Sequence, residues 1–229
     1  MIWWGRPRGA VFTRFVAAML VCFSASVCCL RGEIIDRIAV SVGNSVITIT
    51  DVDREIRVTA FQAAVKPDLS PSNRRATAQR MVEQKLIRRE MDLSHYPLPD
   101  ASEADQMLQQ IRGSRYPNDA DFHQALADYG ITDQDLKEEL LWQLTLLRFI
   151  EVRFRPGVHV SDDEVQEYFD QQVKPTAQAA HPGQPVTIED YRSQIENRLA
   201  EQRTDSEVDK WLQEVRKRTE IVVHEEAFR

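Results

Sequence analysis

Five histidines have the greatest capacity for chemistry in this sequence, because imidazole binds metal ions and transfers protons near neutral pH. They are His95, His123, His159, His181 and His224. No two of them stand four residues apart, and no His-x-x-Glu-His pattern places zinc ligands on one helix face. The sequence therefore predicts no metal site, and His181, which lies in a polar segment, is expected to be solvated.

Paired carboxylates are a second route to catalysis. Asp162 and Asp163 are adjacent, but they follow Ser161 and precede Glu164, an order typical of a helix N-terminus. The sequence has neither a Gly-x-Ser-x-Gly nucleophile motif nor a glycine-rich phosphate loop. Charged runs such as 88–90 are expected to be solvated helix faces. We therefore expect no catalytic residue, no cofactor and no enzyme activity.

The first thirty residues have the composition of a secretory signal peptide. Arg6, Arg8 and Arg14 precede an apolar run over residues 15–30, and the first acidic residue is Glu33. This run is shorter than the ~20 residues that span a bilayer. We predict a cleaved signal peptide over residues 1–30, with an uncleaved inner-membrane anchor or a lipoprotein as the alternatives.

The remaining chain is acidic and lacks cysteine, since Cys22, Cys28 and Cys29 all lie in the leader. The formal net charge of the whole sequence is −7, and removing the three leader arginines leaves 26 basic and 36 acidic residues, a charge of −10. This charge argues against nucleic acid or an anionic membrane surface as the main partner. It fits a soluble extracytoplasmic protein with no stable membrane span after cleavage.

Residues 36–49 have the pattern of a β-hairpin around the two-residue turn Gly43-Asn44, whose leading glycine suits a positive φ. The predicted cross-strand pairs, all on one apolar face, are Val42 with Ser45, Val40 with Ile47, and Ile38 with Ile49. The apolar run at 220–224 is expected to add a third strand to this hairpin. Both ends of the mature chain would then meet.

Helical patterns fill most of the chain between these strands. The most regular stripe has apolar residues spaced by three and four positions, at Ala78, Val82, Leu86, Ile87 and Met91. The predicted helices run from the cap Thr50 to residue 64, from 71 to 94, from about 100 to 113, from Asn118 to 129, from Thr132 to 154, from Ser161 to 172, and from the cap Thr187 towards the last strand.

Residues 173–186 contain three prolines and a glycine with little apolar surface, and this composition predicts a linker. The expected organisation is therefore a hairpin plus helical lobe over residues 34–172, the linker, and a helix and strand over 187–229 that complete the core. The predicted fold is mainly α with a small antiparallel β-sheet.

Three stretches of the chain resemble the SurA family of periplasmic chaperones. Residues 38–53 are similar to the family's opening hairpin and helix start, and 81–87, continuing through 158–165, to its first long helix. Residues 191–195 through 211–216, ending Trp211-Leu212-x-x-x-Arg216, are similar to its closing helix. The resemblance covers most of the mature chain and implies a SurA-type chaperone core in the periplasm.

The chain departs from this family where one or two parvulin-type prolyl isomerase domains usually stand, because the linker at 173–186 takes their place. The resemblance therefore implies an ATP-independent chaperone without the isomerase, with unfolded outer-membrane or secreted proteins as partners. The alternatives are a prolyl isomerase with an unrecognised site and a non-catalytic envelope assembly adaptor.

A chaperone without ATP would bind its clients through apolar surface left partly open and ringed by charge. Methionine and aromatic side chains suit such a surface because they adapt to varied partners. The candidate client-binding residues, on and near the long leucine-rich helix, are Met107, Tyr116, Phe122, Trp142 and Phe149.

Overall fold

The computed structural model describes residue 1 and residues 36–94, 96–180 and 183–229, so the predicted signal peptide, His95 and His181 lie outside the described residues. The described chain is mainly helical with one small antiparallel sheet, which confirms the predicted fold class. None of its helices combines the length and the apolar character needed to cross a membrane. The elements in chain order are β1 (Ile38–Val42), β2 (Ser45–Thr48), α1 (Ile49–Ala63), α2 (Pro71–Ser94), α3 (Ala101–Arg115), α4 (Asp119–Tyr129), α5 (Asp133–Arg153), α6 (Asp162–Tyr168), α7 (Lys174–Ala180), α8 (Arg192–Lys217) and β3 (Ile221–Val223).

The sheet has the strand order β2-β1-β3, so the C-terminal strand pairs with the N-terminal hairpin as the sequence predicted. The register places Val40 opposite Val223 and Val42 opposite Ile221. The backbone N–H of His224 donates to the carbonyl of Ala39 at 2.9 Å and extends the ladder beyond the last paired residue. β1 is therefore a central strand whose two partners come from opposite ends of the described chain.

The hairpin register is confirmed near the turn and wrong at its open end. Val42 pairs with Ser45 and Val40 with Ile47, but Ile38 lies opposite Thr48 instead of Ile49, because the register shifts between Ile38 and Val40. Such an irregularity reverses the face to which the following side chains point. Ile38 is consequently 43% exposed, while Ala39 is fully buried.

α1 begins two residues earlier than predicted. Thr48, and not Thr50, is its N-cap: Asp51 N–H donates to Thr48 Oγ1 at 3.2 Å, and Thr48 N–H donates to Asp51 Oδ2 at 3.1 Å. The sequence offers the same Thr-x-x-Asp box twice, and the sheet decides between them because β2 ends at Thr48. Asp53 is thereby released to accept two hydrogen bonds from Arg74, at 2.7 and 2.8 Å.

The helices α3 to α6 start where their local signals predict. Asp100, Asn118, Thr132 and Ser161 each accept a backbone N–H in the first turn of the helix that follows. Gly130 ends α4 with φ of 67°, and a Cβ there would lie 2.9 Å from Arg57 Nη1. The predicted stripe of α2 is buried over its whole length, at Ala78, Val82, Leu86, Ile87 and Met91.

The segment predicted as a linker is helical in its first half, which moves that boundary. A π-helical stretch, Phe169–Val173, joins α6 to α7, and α7 covers Lys174–Ala180. Pro175 can donate no backbone N–H, and a wider turn before it absorbs this gap in the hydrogen-bond ladder. The three alanines of α7 favour helix, and Ala177 is buried at 8% exposure.

α8 begins later than predicted and is continuous to its end. Thr187 does not cap it; its hydroxyl donates instead to Asp190 at 2.7 Å, and the helix starts at Arg192. The polar stretch 202–207, which interrupts the apolar pattern of this segment, is regular helix. The apolar residues on its two sides therefore belong to one element.

Four clusters of buried residues hold these elements together. The first joins the sheet to α1, α2 and the C-terminal Phe228, and the second lies among α1, α3, α4 and α5. The third joins α2 and α5 to the end of α8, and the fourth joins α6 and the π-helical stretch to the start of α8. Leu212 and Val215 of α8 also pack against the first cluster, so α8 contributes to three of the four clusters.

We expect Phe228→Ala to lower the free energy of unfolding by about 3–5 kcal/mol, the usual cost of emptying a core phenylalanine site. Phe228 has no exposed surface and lies in the cluster beneath the sheet. Val222→Ala is the control, since Val222 is on β3 but 42% exposed and should change stability by less than about 1 kcal/mol. Urea unfolding measures both; equal losses would contradict the packing of the C-terminus under the sheet.

Candidate functional site

The five predicted client-binding residues do not form one surface. Phe122, Trp142 and Phe149 are 0%, 4% and 1% exposed, so the expectation that they lie partly open on the lobe is wrong. α5 is enclosed on two sides: Leu136 and Leu140 belong to the cluster with α3 and α4, whereas Trp142 and Phe149 belong to that with α2 and α8. A helix enclosed in this way buries side chains that lie off its main stripe.

Met107 and Tyr116 are half-buried and pack against the second cluster. The ring of Tyr116 stacks on that of Phe61 with centroids 6.2 Å apart, and its edge meets Phe122 at 5.3 Å. These residues therefore lie in a different core from Trp142 and Phe149. Of the five, Trp142 alone lines the apolar cleft between α2 and α5.

Three clefts meet at Arg88 on α2, and together we call them the Arg88 groove. The guanidinium carbon of Arg88 lies 4.1 Å from the centre of the Trp142 ring, in a cation–π arrangement. Partial burial lowers the pKa of Arg88 from its usual value, and the charges of Glu139 and Glu55 oppose this change. Arg88 is exposed as a residue, as the sequence predicted for this run, but its charged group is fixed against an aromatic wall.

The first cleft of the groove, of about 400 Å³, is predominantly apolar. Leu98 is its most open apolar side chain, at 66% exposure. The carbonyl of Leu98 accepts a hydrogen bond from Arg148 at 3.2 Å, and Arg148 also pairs with Glu103 at 3.0 Å, which fixes the loop that carries Leu98. The lining residues are Arg88, Met91, Asp92, Leu98, Pro99, Glu138, Leu141, Trp142 and Thr145.

Sequence reasoning missed Leu98 because the segment Tyr96-Pro97-Leu98-Pro99 lies between two predicted helices, where the helical patterns assign no role to its residues. The two prolines restrict the backbone around this leucine and keep it outside both neighbouring helices. A single large apolar residue between prolines, outside any periodic pattern, was the available signal for a surface contact.

The second cleft, of about 330 Å³ among α1, α2 and α5, is rich in carboxylates. Burial, followed by the charge of Glu55, raises the pKa of Glu139 from 4.5 to about 7, while a hydrogen bond from Gln143 and the charge of Arg88 act in the opposite direction. Gln143 donates to Glu139 at 2.8 Å. The charged residues that line the cleft are Asp51, Arg54, Glu55, Lys85, Arg88, Asp135, Glu138 and Glu139.

The third cleft, of about 500 Å³, lies between α2 and the hairpin turn at 42–45. Its charged lining is mainly basic, with Lys85, Arg88 and Arg89 against Asp92. The Arg88 groove therefore combines an acidic, an apolar and a basic cleft that share Arg88. Such a surface is suited to binding a polypeptide segment with apolar and charged side chains.

No group of three or more histidine, cysteine or carboxylate side chains is placed to hold a metal ion within residues 36–94, 96–180 and 183–229. Among the histidines, His123 lies 3.3 Å from Asp133 at the surface, and His224 Nε2 is 3.1 Å from Ser41 Oγ beside the sheet. No protein-family model matches the chain, and no curated protein shows significant similarity to it.

We expect Glu139→Gln to stabilise the protein at pH 8 by about 1–2 kcal/mol, after allowance for solvent screening, and to have little effect near pH 4. The folded chain retains the Glu139 proton up to about pH 7, whereas the unfolded chain releases it near 4.5. Wild-type stability therefore loses this contribution as pH rises from about 4.5 to 7. Glutamine keeps the acceptor for Gln143 and carries no charge.

Glu138→Gln removes the same charge from the exposed neighbouring position and serves as the control. Thermal unfolding at pH 4 and pH 8 measures both variants. If Glu139→Gln stabilised the protein equally at the two pH values, the raised pKa of Glu139, and its burial near Glu55 as the cause, would be contradicted.

Proposed function

We propose that the protein is an ATP-independent periplasmic chaperone that binds unfolded outer-membrane or secreted proteins and aids their folding or assembly. The resemblance of its N-terminal hairpin, long helices and C-terminal strand to the SurA family supports this function. The absence of parvulin motifs from the sequence supports a chaperone core that acts without an isomerase. The signal-peptide pattern of residues 1–30 supports its export.

The observation that carries the proposal is the apolar cleft of the Arg88 groove, where Leu98 is 66% exposed beside Met91 and Trp142. Apolar surface left open in a rigid cleft favours a partner that brings its own apolar side chains. An unfolded β-barrel strand, with alternating apolar and polar side chains, has this character. The flanking charges of the groove would keep the loaded complex soluble.

Binding in such a cleft is expected to be weak for each client segment. Burying one leucine- or phenylalanine-sized side chain contributes about 1.5–3 kcal/mol, and ordering a flexible segment offsets much of that. Release therefore needs no ATP. A whole client would be kept unaggregated because several of its segments bind in turn, or because several chaperone molecules bind one client.

The mature protein should suppress the aggregation of an unfolded outer-membrane β-barrel protein diluted from urea, at a stoichiometric ratio. Leu98→Ser should weaken the client binding behind this suppression by a factor of about 5–30, since it removes about 1–2 kcal/mol of apolar contact. Light scattering across a range of molar ratios measures the effect. No suppression at any ratio would reject the chaperone function.

Leu93→Ser is the matched control, because Leu93 is as exposed as Leu98, at 69%, but is not part of the cleft lining. It should leave the suppression unchanged. Equal losses in the two variants would show that general surface hydrophobicity, and not the cleft, binds the client.

The same material separates the two alternative functions. A proline-limited refolding reaction should keep its slow phase when the protein is added, and acceleration of that phase would favour an isomerase. Co-purification of a single stoichiometric partner, instead of a range of unfolded chains, would favour an assembly adaptor.

A further inference from the structure

A further cleft, separate from the three of the Arg88 groove and of about 490 Å³, lies at the far end of α8 from the sheet. It is formed by α6, the π-helical stretch Phe169–Val173, α7 and the start of α8. Its volume is within the range of about 300–1,000 Å³ found for ligand-binding pockets. The lining residues are Tyr168, Gln172, Val173, Thr176, Ala177, Ala180, Tyr191, Gln194, Ile195 and Arg198.

The base of this cleft is rigid and apolar. Ile195 and Ala177 are 2% and 8% exposed, and Ile195 packs with Val165 and Phe169 in the fourth cluster. Tyr168 and Tyr191 are half-buried and offer ring surface at the wall. The floor therefore suits an apolar or aromatic side chain, which gains contact without moving the core.

Arg198 gives the cleft its charge. It is the one charged residue among the described residues of the lining. The neighbouring arginines of α8 have carboxylate partners: Arg192 pairs with Asp162 at 2.7 Å, Arg203 with Glu164, and Arg216 with Glu83 at 4.0 Å. No ion pair of Arg198 occurs within the described part of the chain, so its guanidinium is available to an anionic ligand.

We propose that this cleft binds the C-terminal end of a polypeptide chain. The terminal carboxylate pairs with Arg198, whose planar guanidinium matches a carboxylate in two parallel hydrogen bonds. The last apolar side chain rests on Ile195 and Ala177 against the tyrosine rings. Capture of a terminal carboxylate is one of the recurring modes of peptide recognition.

The polar groups of the wall favour a peptide over a fatty acid, although both are carboxylates with an apolar body. Gln172, Gln194 and Thr176 line the cleft and offer donors and acceptors to peptide N–H and C=O groups. A hydrocarbon tail would leave the same groups without partners, which is costly when they are desolvated. The site lies apart from the Arg88 groove, so it does not depend on the proposed chaperone activity.

The test uses a fluorescein-labelled tetrapeptide that ends in phenylalanine, prepared once with a free C-terminal carboxylate and once as the amide. In fluorescence anisotropy with the mature protein, the free acid should bind about tenfold more tightly than the amide. Arg198→Gln should remove this difference, and Arg198→Lys should restore part of it. Arg216→Gln is the control: it removes one positive charge from α8 outside the cleft, and it should leave binding unchanged.

Ala180→Leu narrows the cleft without altering its charge, and it should weaken the acid and the amide alike. Equal binding of acid and amide to the wild-type protein would overturn the role of the carboxylate, and binding of neither would overturn the site. Tighter binding of decanoate than of the free-acid peptide would assign the cleft to a fatty acid and reject the peptide.

Discussion

The pairing of β3 with β1 is the constraint on which the rest of the structure depends. A two-stranded hairpin alone is marginally stable, and β1 has a partner on only one edge until the C-terminal strand arrives. The strand also brings Phe228 into the cluster that covers the sheet, where it has no exposed surface. The helices between β1 and β3 must therefore together lead the chain away from the sheet and back to it.

α8 completes that path, and its geometry explains how it packs against different clusters at its two ends. Twenty positions separate Ile195 from Val215, about 5.5 turns, so the two side chains project from opposite sides of the helix. Ile195 packs with α6 and the π-helical stretch, whereas Val215 packs with the cluster of the sheet. A regular helix that changes its buried face along its length joins separate clusters, and the cleft that contains Arg198 lies beside its first turns.

Local signals predicted the parts of this fold that depend on neighbours in sequence. Caps such as Asn118 and Thr132 and the buried stripe of α2 need only the residues a few positions away. The predictions were wrong where strand pairing determines the local structure. Because β2 ends at Thr48, the cap of α1 is Thr48 and not Thr50, and the register shift opposite Thr48 turns Ile38 towards solvent. Of the candidate site, the sequence located Trp142 at a cleft but could not show that packing on both sides of α5 buries it.

The burial of Trp142 limits how the Arg88 groove could act in the proposed chaperone. A buried indole could not rearrange for each client, but its face holds Arg88 4.1 Å away and so fixes a positive charge where the three clefts meet. The adaptable part is then Leu98, which stands on a loop held by Arg148 and is largely open to solvent. Under the proposed function, a groove with a fixed charged centre and an exposed apolar rim would select segments by their pattern of charge and apolar side chains. Selection of that kind would tolerate many sequences, because no single contact would contribute most of the binding free energy.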